Sequence, residues 1–301
     1  MIITVEGPTG AGKSAIALKI AQALSTDIIN CDSRQIYKYM DIGTAKPTPA
    51  ERDLVTHHLF DIITPNERYN AGRYVQDAQR TIQLLQTQAK IPLLCGGTGL
   101  YVKALLEGLF EHPPIDPALK TKLKQELQQC GTEAMYKKLQ AIDPTFADKI
   151  SAHDPQRILR GLEVFEATGR TLSQHWSEQQ HHQRYKALRI LVNPERDLLY
   201  QSINDRMQKM LARGLIAEIE SLLARGYTWT DPGLNSLGYK EFKDYFTKAK
   251  TIAQCAQIAA QHHRNYAKRQ VTWYRKQKFD LTISPDSVSL SDILRVIKPD
   301  S

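Results

Sequence analysis

Short apolar blocks alternate with longer amphipathic stretches through the first third of the chain. Residues 2–5, 27–31 and 91–95 are nearly continuous apolar runs, the pattern of strands covered on both faces. Between and after them, residues 14–24, 71–88 and 99–106 repeat apolar positions at helical spacing and predict helices. Strands separated by helices imply right-handed crossovers and a parallel sheet, with ligands at the carboxyl ends of the strands. After His112-Pro113-Pro114 the pattern turns wholly helical, and Asp116-Pro117, Asp143-Pro144 and Asp154-Pro155 put a capping carboxylate before a first-turn proline. Residues 187–193 again read as a strand. Helices at 196–212, 215–225 and 252–276, a strand at 279–284 and a helix at 290–297 complete the pattern.

Gly7-Pro8-Thr9-Gly10-Ala11-Gly12-Lys13-Ser14 lies between the first strand and the first helix. Such a loop cradles a diphosphate: backbone N–H groups and the helix N-terminus hold the anion, Lys13 adds charge, and the Ser14 hydroxyl can reach a magnesium ion. The fold class expected is therefore α/β, a P-loop NTPase-like parallel sheet flanked by helices with an all-helical insertion domain. The divisions expected are 1–112 for the first part of the core, 113–186 for the insertion and 187–301 for the second part.

Charge adds a polyanionic partner. Residues 245–279 contain no Asp or Glu but carry Lys248, Lys250, Arg264, Lys268, Arg269, Arg275, Lys276 and Lys278, which equal the whole formal net charge of +8. Tyr266, Trp273 and Tyr274 interleave with them, a recipe for stacking and phosphate attraction on unpaired nucleic acid; a core-packed helix with solvated basic edges is the plainer alternative. Cys31, Cys95, Cys130 and Cys255 are widely separated and lack zinc or redox spacing, so free thiols, mostly buried, are expected. The adjacent pairs His57-His58, His181-His182 and His262-His263 read as core or solvated residues rather than metal ligands. Neither a membrane span nor a signal peptide is visible, which predicts a cytoplasmic protein.

Other candidates follow the strands. Asp32 sits directly after the second strand, where it could bind magnesium, hydrogen-bond a base, take a proton or simply close an Asx turn. Arg34 and Gln35 place donors beside it. Gly96-Gly97-Thr98-Gly99-Leu100-Tyr101 is a second strand-to-helix turn, its glycines explained either by a close ligand or by a tight turn with a Thr98 cap. Gln156 and Arg160 lie one helical turn apart, next to Arg157, and suit phosphates or base edges or an ordinary solvated face. Arg206 could stabilise a departing phosphate, or form a surface ion pair.

Taken in order, these motifs resemble the tRNA dimethylallyltransferases (tRNA isopentenyltransferases) of bacterial type. GPTGAGKS alone is shared by many NTPases; DSRQIYK (from Asp32) with GTAKP (from Gly43) and GGTGLY (from Gly96) is specific to that family. DPQRILRGLEVFEATGR (from Asp154), RMQKMLARGLIAEI (from Arg206), LGYKE (from Leu237) and AKRQVTWYRK (from Ala267) extend the likeness to about residue 285. Leu237, Gly161 and Tyr274 depart from the residues more usual in the family. The resemblance implies dimethylallyl transfer from dimethylallyl diphosphate to N6 of the adenosine 3′ to the anticodon, in tRNAs reading codons that start with U. It implies Asp32, Thr9 and Arg206 as catalytic residues. Gly7, Pro8, Thr9, Gly10, Ala11, Gly12, Lys13 and Ser14 would bind diphosphate, with Mg2+ at Ser14. Asp32, Ser33, Arg34, Gln35, Thr98, Gln156, Arg157, Ile158, Leu159 and Arg160 would contact tRNA, the insertion closing on the anticodon stem-loop of a monomeric enzyme. A P-loop small-molecule kinase is the competing reading, and a nucleotide-gated RNA-binding module without catalysis a third.

Overall fold

The computed structural model describes residues 1–108, 115–178, 185–285 and 290–297. His112-Pro113-Pro114 and His181-His182 lie outside the described residues. Six strands form one parallel sheet: β1 (Ile2–Glu6), β2 (Ile28–Asn30), β3 (His57–His58), β4 (Leu93–Gly96), β5 (Ala187–Val192) and β6 (Leu281–Ile283), in the order β3-β2-β4-β1-β5-β6. Successive side chains on a strand point to opposite faces. Ile3, Val5, Ile28, Leu93 and Cys95 accordingly pack with Ala17 and Ile20 of α1 (Lys13–Leu24) in one core cluster. Ile2, Ile29 and Leu94 pack with Tyr74 and Ile82 of α3 (Ala71–Thr87) and Val102 and Leu105 of α4 (Gly99–Glu107) in another. Polar residues interrupt β1 without cost to burial because they are paired. Glu6 is fully buried and accepts from Arg189 Nε and Nη2 at 2.9 Å each and from Thr4 Oγ1 at 2.8 Å.

The chain divides into two compact units, Met1–Glu107 with Gln183–Ser301, and Gly108–His182. The second of these units overlaps the expected insertion, 113–186. It comprises α5 (Pro117–Ile142), α6 (Pro144–Ala147), α7 (Pro155–Thr168) and α8 (Leu172–Glu178), around Leu123, Met135, Leu139, Phe146 and Leu162. The aspartates before Pro117, Pro144 and Pro155 all cap, Asp154 accepting from Arg157 N at 3.1 Å. Gly131 breaks α5 into two helical pieces with φ at +79°.

In the first unit α9 (Arg196–Ala212), α10 (Leu215–Ala224), α11 (Lys243–Phe246), α12 (Ile252–Tyr274) and α13 (Leu290–Ile297) follow β5 and β6. α2 (Pro49–Leu54), opened by a Thr48–Glu51 capping box, and the two-residue β3 are too short for hydrophobic periodicity to reveal. A third cluster joins Met207 and Met210 of α9, Ile219 of α10, Ala259 of α12 and Tyr239 and Phe242, and carries the loops around residues 40 and 238. Cys31, Cys95 and Cys255 are buried and Cys130 is exposed, all as free thiols. Among the described residues no helix is long and apolar enough to cross a membrane.

Candidate active site

α1 starts at Lys13, and its N-cap, Gly12, adopts φ +81°, a left-handed conformation that costs a side-chain-bearing residue energy. No side chain caps the helix, so its first N–H groups remain directed at the loop, as an anion site requires. Thr9, Gly10, Gly12, Lys13 and Ser14 line a cavity of about 590 Å3, together with Asp32, Arg206 and Lys209. Gly7, Pro8 and Ala11 shape the loop from behind: a Cβ on Gly7 would lie 2.3 Å from the Val192 carbonyl oxygen, and the Pro8 carbonyl accepts from Lys13 Nζ and Ala11 N. Burial pushes the Lys13 pKa down, an effect opposed by the neighbouring Cys95 and Asp32. Arg206 experiences the same: burial disfavours its charge and Asp32 partly restores it. Two cations held in a desolvated pocket favour an anionic ligand.

Arg206 reaches the loop from α9. Its Nη2 donates to Thr9 Oγ1 at 2.8 Å, while Ile203, Met207 and Met210 of the same helix are buried. An ion pair at the surface is thereby excluded in favour of a guanidinium in the crevice. Asp32 Oδ1 accepts from Arg34 N at 2.8 Å, so the Asx turn is real, yet the carboxylate still lines the cavity. The turn therefore leaves the carboxylate on the cavity wall.

Close packing of the turn against α12 explains two of the glycines in Gly96-Gly97-Thr98-Gly99. A Cβ on Gly97 would stand 2.7 Å from Gln270 Nε2, and one on Gly99 2.3 Å from Trp273 Nε1. Gln270 is buried, accepts from Thr9 N at 2.8 Å and donates to the Gly97 carbonyl at 2.7 Å. One amide thus ties the phosphate loop to the second glycine turn. Thr98 Oγ1 accepts from Ser33 N at 2.9 Å, which joins the same turn to the Asp32 loop.

A second cavity, about 260 Å3, is lined by Arg34, Asn235, Leu237, Lys240, His263, Tyr266 and Arg269. It shares Thr9, Asp32, Thr44 and Arg206 with the first. Tyr266 is pushed up to about 12 by burial, with the Asp32 charge adding to the effect. Of the aromatics expected to stack on nucleic acid, Tyr266 lines the second cavity, whereas Tyr274 is buried and Trp273 packs on Gly99. Of the basic residues in 245–279, Arg269 lines the second cavity, whereas Lys250 pairs with Asp244 and Arg264 bonds Asn204 and Gln261.

Gln35 lines the first cavity, but its Nε2 is engaged by the Thr44 and Ala45 carbonyls at 3.1 and 2.9 Å, so it braces that loop. In the second unit Gln156 and Arg157 are exposed, Arg157 ion-paired with Asp154 and Arg160 with Glu163, and Arg160 is half-buried. Ile158 and Leu159 belong to that unit's hydrophobic core, so their side chains serve packing. Sequence reasoning passed over Glu218, whose carboxylate accepts from the N–H groups of Asp41, Ile42 and Gly43 and from Tyr239 OH at 2.6 Å. It also passed over Gln270 and the cavity face of His263. Tyr239 within LGYKE was the available signal for the first, and AKRQ for Gln270.

The chain matches the IPP transferase family model over residues 35–277 and the isopentenyl transferase model over residues 1–61. It is 41% identical over 276 residues to a tRNA dimethylallyltransferase of Syntrophobacter fumaroxidans, covering 91% of this chain and 80% of that protein. A tRNA dimethylallyltransferase of Carboxydothermus hydrogenoformans is 40% identical, with 91% and 89% covered. Among solved structures, the tRNA isopentenylpyrophosphate transferase of Bacillus halodurans is similar with TM-score 0.72 and 32% identity, over 98% of this chain and 93% of that one. A eukaryotic dimethylallyltransferase acting on tRNA is similar with TM-score 0.86 and 27% identity, over 99% and 78%. With these family models spanning the chain between them and relatives about 40% identical over nine-tenths of its length, the chain belongs to the IPP transferase family.

Proposed function

We propose that the protein transfers a dimethylallyl group from dimethylallyl diphosphate to N6 of the adenosine 3′ to the anticodon in tRNAs reading codons that start with U. One observation carries this reading: two cavities of different character share Thr9, Asp32, Thr44 and Arg206. The first presents the phosphate loop and suits a diphosphate donor. The second combines Arg34, Lys240 and Arg269 with Tyr266, a set suited to an unstacked base and its backbone. A small-molecule kinase has no use for that second, cationic chamber.

In this mechanism Lys13, Arg206, Thr9 and the N–H groups opening α1 hold the leaving diphosphate and stabilise the charge that develops on it. Asp32 orients the exocyclic amine and receives its proton as the carbon–nitrogen bond forms. The Asx turn fixes the backbone beneath that carboxylate, and Gln270 keeps Thr9 in register with the loop that braces Ser33. Ser14, Asp32 and Asp205 line the same cavity and offer a hydroxyl and two carboxylates, oxygen groups of the kind that suit a hard divalent ion completed by substrate phosphate oxygens. Mg2+ held at Ser14 would supply further neutralisation of the diphosphate. The helical unit, through Gln156, Arg157 and Arg160, would grip the anticodon stem-loop, and the enzyme would act as a cytoplasmic monomer.

Incubation of unmodified tRNA with labelled dimethylallyl diphosphate and magnesium tests the reading. Label should enter the RNA at a single adenosine; release of ADP from ATP without labelled RNA would select the kinase instead.

A further inference from the structure

His263 is the one histidine lining the second cavity, and it is only 5% exposed. Its Nδ1 lies 2.9 Å from the carbonyl oxygen of Ala259, one turn earlier on α12. A carbonyl can only accept, so Nδ1 carries the ring proton and Nε2 presents a bare lone pair. No group among the described residues is hydrogen-bonded to Nε2. Gly238 packs against this edge, where a Cβ would come within 3.1 Å of the ring's Cε1 and 3.5 Å of Nε2. Burial lowers the ring's pKa to about 4, and the Arg206 charge adds to the effect, so the lone pair persists at neutral pH. The ring belongs to a buried residue on the wall of the cavity, so its free acceptor is offered to whatever donor a ligand brings there.

The identity of that donor follows from the chemistry of the acceptor nucleotide, and so rests on the functional reading above. Within an RNA strand, adenosine offers two kinds of donor, the N6 amine and the ribose 2′-hydroxyl; N1, N3 and N7 accept, and the other sugar oxygens are esterified or in the ring. The amine belongs at Asp32, where the carbon is transferred. We propose that His263 Nε2 accepts a hydrogen bond from the 2′-hydroxyl of the acceptor adenosine, and that this contact distinguishes RNA from DNA at the reacting nucleotide.

The test compares an anticodon stem-loop RNA with the same RNA carrying one 2′-deoxyadenosine at the acceptor position, using full-length enzyme and labelled dimethylallyl diphosphate. Wild-type kcat/KM should fall about tenfold on the deoxy substrate, the scale of one lost hydrogen bond. His263→Phe should lose about as much on the all-ribose RNA and then treat both substrates alike. His263→Gln, which can present an amide oxygen, should regain part of the discrimination. Equal wild-type rates on the two substrates would overturn the assignment whatever the variants do, and so would undiminished discrimination by a folded His263→Phe enzyme. No transfer to the all-ribose RNA by wild type would instead refute the functional reading, and this contact with it.

Discussion

Arg206 Nη2 donates to Thr9 Oγ1 at 2.8 Å, joining residues 197 positions apart across the mouth of the phosphate loop. The bond holds the guanidinium against the loop proposed to bind the leaving diphosphate. Arg206→Ala should lower kcat about 10²- to 10³-fold, as removal of a preorganised donor to developing charge does elsewhere. Thr9→Ala should cost less, and the double variant should be no worse than about Arg206→Ala alone. Steady-state kinetics on the four enzymes checks the coupling; fully additive losses would separate the two residues.

The Asx turn closed by Asp32 and the catalytic role proposed for its carboxylate can be separated by one substitution pair. Asp32→Asn keeps an oxygen for the Arg34 N–H and so preserves the Asx turn, but removes the base. It should slow the chemical step about 10²- to 10⁴-fold with tRNA affinity nearly unchanged. Asp32→Ala should match it in rate and in addition loosen the loop, seen as a lower melting temperature. Equal loss of RNA binding in Asp32→Asn would assign the carboxylate to binding alone.

Arg34, Lys240 and Arg269 line the second cavity beside Arg206, the residue proposed to hold the diphosphate. If each of the three meets one phosphate of a single-stranded loop, the log–log dependence of RNA affinity on salt should have a slope of about −2, from roughly 0.7 per contact. Arg269→Ala should weaken binding and make the slope shallower by about 0.7. An unchanged slope would place Arg269 off the RNA.

Stability should fall on the acid side before the carboxylates titrate. The unfolded His263 binds a proton near pH 6.5, whereas the buried ring does so only at about 4. Between those values the unfolded chain carries the extra proton, so stability is lost as pH falls through that window and is complete above it. His57, lowered chiefly by burial, acts in the same direction. Denaturant unfolding of His263→Gln should show a weaker loss between about pH 6.5 and pH 4 than wild type; an identical slope would mean the ring charges while folded.

Gly99 has no room for a side chain. Gly99→Ala sets a Cβ 2.3 Å from Trp273 Nε1, a rigid indole rather than a flexible chain end. Overpacking there should destabilise the protein by about 1–3 kcal/mol, read by thermal or denaturant melts. A neutral effect would mean α12 can draw back from the turn.

Local pattern determined much of this protein. Alternation of apolar runs with amphipathic stretches sufficed for the sheet and its covering helices, because a strand buried on both faces and a helix with one apolar stripe carry their burial in their own residues. The phosphate loop was legible for the same reason: glycine spacing, Lys13 and Ser14 are contiguous and act through their own backbone. Asp32 was visible by its place after a strand. Contacts between distant segments were decided only by the tertiary structure. Glu218 on the loop at 41–43, Gln270 between Thr9 and Gly97, and the lone pair of His263 are properties of pairs separated by many positions, on helices whose sequence pattern reports only which face is buried. The expected aromatic stack shows the limit: Trp273 and Tyr274 had the composition of a nucleic-acid surface, but the strand-to-helix turn at 96–99 came close enough to claim one and the core the other. Burial against a particular neighbour is set by the folded arrangement of the whole chain, and no local pattern encodes it.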